Sequence, residues 1–146
     1  MNGISVLIDT NIAIALLSGD ETIAEMFDGK DVRISFITEL ELLCKPGMKL
    51  SEKKNIQAFI DDCTILDINN SIKEITISIR QSGKIKLPDA IIAATSIFWN
   101  IPFFTRDEGF KNIKGLNCFF VNFWPIIRSI QNFHSLFFVR QKSNNQ

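Results

Sequence analysis

Short apolar runs rich in β-branched residues alternate with longer segments of helical spacing along this chain. Ile4–Ile8 is the first such run and reads as a buried strand. Asp9-Thr10-Asn11 ends it, and Ile12–Leu17 reads as a helix. Asp20 caps a second helix through Phe27, with Glu21 in its first turn and Gly29 as its stop. Val32–Ile37 is the second strand, and Thr38 opens a helix that ends at Lys45-Pro46-Gly47. A helix from Ser51 to about Asp61 leads to a third strand, Thr64–Ile68. Asn70 or Ser71 starts a helix that stops at Gly83, and Pro88 is the first residue of the next, to about Asn100. Pro102–Thr105 and Leu116–Val121 complete the strands. Strands alternating with helices predict an α/β fold: a three-layer α/β/α sandwich with a mostly parallel central sheet. After Pro125, Ile126, Ile130, Phe133 and Phe137 recur at helical spacing, which predicts an amphipathic helix over Trp124–Val139. The expected division is a domain over residues 1–123 and a helical extension with a disordered tail over 124–146. That helix packs on its own domain or makes a dimer or partner surface, and truncation after Trp124 should then lower the melting temperature or cause aggregation.

Composition narrows this picture. The 146 residues suffice for one domain with one sizeable core. Sixteen basic and sixteen acidic residues give zero net charge, unlike the basic footprint of a tight nucleic-acid binder. Local grip on a phosphate backbone remains open, and such binding is salt-sensitive. Cys44, Cys63 and Cys118 have no CxxC spacing and read as buried thiols in a reducing cytosol. The apolar N-terminus carries Asp9 and no basic stretch, a poor signal peptide, and no run is long enough to span a membrane. A cytoplasmic protein is expected.

The chemistry lies in four acids that the predicted topology brings to one sheet edge: Asp9 in LIDTN, Glu41 in ITELEL, Asp89 in LPDAIIAAT and Asp107 in FTRDEGF. In a parallel α/β sheet, ligands bind where strand ends meet helix starts. Each acid also has a plain structural reading. Asp9 serves as a helix N-cap, and Glu41 closes a capping box with Thr38. Asp89 complements a helix dipole, and Asp107 is a turn residue. Together at one edge they repel, each pair by roughly 4 kcal/mol at about 4 Å and an effective dielectric of about 20. Such a cluster takes up protons or binds a hard divalent ion, Mg²⁺ or Mn²⁺.

The order LIDTN, ISFITELELL, LPDAIIAAT, IPFFTRDEGF resembles the PIN domain, and within it the toxin nucleases of VapBC toxin–antitoxin modules, over about residues 4–121. The resemblance implies that Asp9, Glu41, Asp89 and Asp107 form a catalytic Mg²⁺-binding quartet supported by hydrogen bonds from Asn11 and Thr105. It further implies RNA cleavage, a homodimer and a small antitoxin that blocks the site. Spacing after Thr38 favours Glu41 as the second acid, with Glu39 as the alternative. Where the family often carries an acid just before the Phe of the fourth motif, this chain has Gly109, with Glu108 beside it.

Cations near this edge are Arg80, Lys84, Lys86 and Arg106, read either as RNA contacts or as a solvated basic loop, with Arg106 alternatively paired to one of the quartet. The lone histidine, His134, lies in the tail, outside the constellation. Among rival classes, a degenerate PIN fold that binds RNA or a partner without cleaving is disfavoured by the presence of all four acids. A haloacid-dehalogenase-type phosphatase wants an acid where Asn11 stands. A receiver-like domain built on Asp67 lacks a second acid pair.

Overall fold

The computed structural model describes residues 3–123. Five strands form one parallel sheet: β1 (Ser5–Ile8), β2 (Asp31–Ser35), β3 (Thr64–Leu66), β4 (Phe103–Thr105) and β5 (Cys118–Phe120). Their order is β3-β2-β1-β4-β5, so the chain winds outward from β1 in one direction and then returns to add β4 on its other side. This reversal between β1 and β4 is where open α/β sheets leave a crevice at the carboxyl ends of the strands. The helices are α1 (Thr10–Leu17), α2 (Glu21–Phe27), α3 (Phe36–Leu43), α4 (Leu50–Asp62), α5 (Asn70–Ser82) and α6 (Leu87–Trp99).

The period-two alternation of a strand sends successive side chains to opposite faces. Val6, Ile8, Ile34 and Phe104 face a core filled by Ile12, Ile23, Met26, Phe27 and Ile60 from α1, α2 and α4. Leu7, Leu66 and Phe103 face the other core, filled by Ile72 and Ile79 of α5 and by Ala90, Ile92, Ala93 and Ala94 of α6. The three alanines are fully buried, which lets α6 lie close on the sheet, as expected from their size. Each fully buried Ile, Leu or Phe contributes about 1.5–3 kcal/mol relative to exposure.

Several boundaries differ from expectation. The strand expected over Val32–Ile37 ends at Ser35, whose Oγ accepts the Ile37 N–H at 3.3 Å and caps α3. Thr38 therefore lies inside the helix, fully buried, and the capping box expected with Glu41 does not form. Helix α5 does start at Asn70, one of the two expected positions, and Asn69 caps it. Leu87 precedes Pro88 at the start of α6, and Asn100 closes that helix in the left-handed conformation at φ 51°. Cys44 is exposed rather than buried, while Cys63 and Cys118 are half-buried, and none of the three is in a disulfide. Burial, reinforced by Asp62 and Asp31, pushes the Cys63 thiol up to about 11. No helix among the described residues is long and apolar enough to cross a membrane. The helix expected over Trp124–Val139, and His134 within it, lie outside the described residues.

Candidate active site at the carboxyl edge of the sheet

Asp9 follows the last residue of β1 and is 4% exposed. It does cap a helix: its Oδ1 accepts the Ile12 N–H at 2.9 Å. Its Oδ2 accepts from the Thr105 hydroxyl at the end of neighbouring β4. Thr105, fully buried, also accepts the Asp107 N–H at 2.9 Å, so one hydroxyl ties together the segments carrying two of the four acids. Asp107 is exposed and folds back to accept the Gly109 N–H at 2.8 Å. A Cβ at Gly109 would stand 3.0 Å from Asp107 Oδ1, so an acid at this position would press on that carboxylate. Glu108 is exposed in the 3-10 turn that follows Asp107.

Electrostatics record the gathering of the quartet. Burial first, and then Asp89 and Asp107, push the Asp9 carboxyl above its usual range, against the hydrogen bonds from Thr105 and Ile12. Glu41 is raised by desolvation, by Asp89 and by Asp9, with the Thr10 hydroxyl opposing. Asp89, in the first turn of α6, is raised by desolvation and by Asp107, partly offset by Lys86. Asp9 after β1, Glu41 on α3 and Asp89 on α6 thus share one neighbourhood, and Asp107, after β4, acts on Asp9 and Asp89.

These are oxygen donors held near one another at a net cost, the donor chemistry a hard divalent cation takes. Among the described residues, no group of three or more His, Cys, Asp or Glu side chains is drawn together closely enough to hold an ion as it stands. Glu41 and Asp107 are exposed and Asp89 half-buried, whereas Asp9 is buried and fixed by both of its carboxylate oxygens.

Of the predicted supporting residues, Thr105 contacts the acids directly. Asn11 is exposed on α1 and makes no side-chain hydrogen bond among the described residues. Arg106 does not pair with the quartet: its guanidinium meets Asp20, at the start of α2, at 3.1 Å. Arg80 donates to the Ile85 carbonyl and fixes the loop before α6. Lys84 and Lys86 line a cavity of about 690 Å³ that Asp89 and Asp107 also line. Lys114 lines it too; it sits in a turn closed by Gly115 at φ 84°, and no periodic pattern marks it in the sequence. On the other flank, Glu41 borders an apolar groove of about 330 Å³ between α1, α3 and α4, lined by Ile14, Leu17, Leu42 and Ile56.

Comparison with known proteins agrees with this frame. The chain resembles a chain of a toxin–antitoxin complex from Klebsiella pneumoniae, with 32% identity, a TM-score of 0.67, and coverage of 76% of this chain and 94% of that one. It also resembles VapBC-1 from nontypeable Haemophilus influenzae (TM-score 0.70, 23% identity, 82% and 99% covered) and DNA-bound VapBC from Salmonella typhimurium (TM-score 0.70, 23% identity, 80% and 97% covered). At that identity these two speak to the fold alone. A search of curated proteins finds no match. The PIN-domain profile matches residues 6–116, spanning every element from β1 to the turn before β5 and all four acids, and the chain belongs to the PIN-domain family.

Proposed function

We propose that this PIN domain is a Mg²⁺-dependent endoribonuclease and the toxin of a toxin–antitoxin module. The observation that supports this reading most is the nearness of the acids at the β1/β4 crevice: Asp9, Glu41 and Asp89 are each raised first by burial, with Asp89 and Asp9 also acting on Glu41 and Asp107 on Asp9 and Asp89. Four acids from four separate segments have no shared structural task. Only one of the acids, Asp9, caps an α-helix with its side chain.

Asp9 and Asp89 would hold Mg²⁺ or Mn²⁺, and Glu41 and Asp107 would hold a second ion or orient water. When bound, such an ion lowers the pKa of an attacking water and neutralises charge that builds on the phosphate. The chain's own residues do the positioning. Thr105 holds the Asp9 carboxylate in register and ties down Asp107. Lys84 and Lys86 face the side on which substrate phosphates approach. Among the described residues no histidine or cysteine belongs to the constellation, and there proton handling falls to water and the carboxylates.

A small antitoxin partner follows from the likeness to the Klebsiella toxin–antitoxin complex. The exposed apolar groove beside Glu41 is suited to such a partner, since covering it would close one flank of the acids. A homodimer and a cytoplasmic setting belong to the same reading.

Two tests arise here. Glu41→Gln should weaken RNA cleavage by about tenfold, while Glu39→Gln changes it little; one helix step of about 100° per residue sets them about 200° apart. Equal losses in a cleavage assay would show that the wrong glutamate has been placed in the site. The second test is pH. In the metal-free protein the raised carboxyls of Asp9, Glu41 and Asp89 bind protons more tightly folded than unfolded. Stability from these groups is therefore present below their raised folded values and falls as pH rises from the ordinary carboxylate range through them. Asp20 and Asp31, whose values are lowered, act in the opposite sense. The comparison is thus made against Asp9→Asn, whose melting temperature should fall less over that window. At neutral pH, Mg²⁺ at 100 times its Kd should add about 2.7 kcal/mol. A melting temperature indifferent to Mg²⁺ and Mn²⁺ would speak for the alternative, a catalytically degenerate PIN fold that binds RNA or a partner.

A further inference from the structure

The described chain ends on the face of the sheet that carries the apolar groove beside Glu41. Val121, just after β5, is buried in the core that β1, β2 and β4 share with α1, α2 and α4. The Asn122 side chain donates to the Arg106 carbonyl at 3.5 Å, and the Arg106 guanidinium meets Asp20. Asp20 follows Leu17 and Ser18, which stand in the groove wall, and its N–H is tied back to the Ala15 carbonyl of α1. Leu42 is the buried floor of the groove, Leu17 and Ile56 are half-buried in its walls, and Ile14 is 48% exposed. Leu40 and Leu43 of α3 and Leu50 of α4 are exposed on the same helices. Apolar surface left this open marks a place for an occupant.

Residues 124–146 have the matching chemistry. Ile126, Ile130, Phe133 and Phe137 recur at helical spacing and make one apolar stripe. The charged residues there are Arg128, Arg140 and Lys142, all basic. All sixteen acidic residues of the chain lie before residue 124, Glu41 and Glu52 on the groove wall among them. A basic apolar segment thus follows directly on a domain whose open groove is apolar and carries two acids. Length fits as well. A helix over 124–139 would run about 24 Å at about 1.5 Å per residue, and three neighbouring helices about 8–10 Å apart span about 16–20 Å. The exposed Ile77, Phe98 and Trp99 belong to α5 and α6 in the opposite layer, which the chain reaches only by passing round the β5 edge.

We propose that the groove between α1, α3 and α4 is the docking site of the chain's own segment 124–146, which lays Ile126, Ile130, Phe133 and Phe137 on it in cis and closes the Glu41 flank of the acids. A partner suited to this groove then has first to displace that segment. The test uses the full chain and readouts that need no catalysis, so its failure leaves the nuclease reading where it stands. Amide hydrogen exchange followed by mass spectrometry should be about tenfold or more faster over residues 14–18, 41–45 and 52–56 in Phe133→Asp than in the wild type, with α5 and α6 unchanged. Reciprocally, Ile14→Asp, at an exposed position, should speed trypsin cleavage after Arg128 by about tenfold or more. A photoreactive phenylalanine analogue in place of Phe133 reads the docked state without a charge, and should cross-link within one chain to α1, α3 or α4. If either aspartate variant fails to fold, the cross-link decides alone. Unchanged exchange in the groove helices, a rise on α5 and α6 instead, unchanged cleavage after Arg128 in Ile14→Asp, or a cross-link to another face or to a second copy each overturns the inference.

Discussion

Asp9→Asn and Asp89→Asn are each expected to reduce Mg²⁺-dependent RNA cleavage by about 100-fold or more, a loss of about 2.7 kcal/mol of transition-state stabilisation, while the protein stays folded. Asp9 is the acid fixed most firmly, with both carboxylate oxygens engaged and 4% exposure. An asparagine retains an oxygen to cap Ile12, and the Thr105 hydroxyl accepts as well as donates, so the local bonds have a neutral counterpart. What disappears is a buried charge that its neighbours already disfavour. The metal-free Asp9→Asn protein should therefore be at least as stable as wild type, and circular dichroism with thermal melts checks this. A folded Asp9→Asn or Asp89→Asn protein that cleaves at near wild-type rate would remove that residue from the chemistry.

Phe104→Ala is expected to cost about 3–5 kcal/mol of folding stability, the range for emptying a buried aromatic site. Phe104 is 1% exposed in the middle of β4's run. Its ring meets Phe27 edge-on at 5.2 Å and stacks on Phe119 at 5.2 Å, joining α2, β4 and β5. The next residue is Thr105, so a cavity here also loosens the support of Asp9 and Asp107. Urea denaturation with an unchanged m-value would measure the loss. Should the alanine variant fail to fold, Phe104→Leu keeps most of the volume and should cost less than about 1.5 kcal/mol. A Phe104→Ala loss under about 1 kcal/mol would mean that this aromatic sandwich does not hold the sheet edge.

Much of this arrangement is legible in residue order. The β-branched runs of β1 and β3 stand between polar turn residues, and Asp20, Gly83 and Pro88 punctuate helices by local rules that tertiary contacts do not override. The boundary of β2 was misplaced for a physical reason. Phe36 and Ile37 extend the apolar run of the strand, yet they are the first turn of α3, capped by the small Ser35 hydroxyl. The same shift dissolves the capping-box reading of Glu41, which frees that carboxylate to face Asp9 and Asp89. The nearness of Asp9, Asp89 and Asp107 followed from strand ends and helix starts sharing one edge, whereas Glu41 comes in from the second turn of α3. The partners of Arg106 and Arg80 did not follow, because the Arg106–Asp20 pair joins residues 86 positions apart and Arg80 turns to a loop carbonyl. Lys114 carries no pattern at all: only the return of the 107–114 segment toward α5 puts it beside Lys84 and Lys86.

The most direct measurement of the central claim is cleavage of a defined RNA panel by the wild-type chain and its Asp89→Asn variant, side by side, with Mg²⁺ and with EDTA. The account predicts discrete RNA products from the wild type with Mg²⁺ alone, and none from the variant or in EDTA. Products of equal yield from the folded variant, or from the wild type in EDTA, would contradict it, as would intact RNA throughout the panel with Mg²⁺ or Mn²⁺ present.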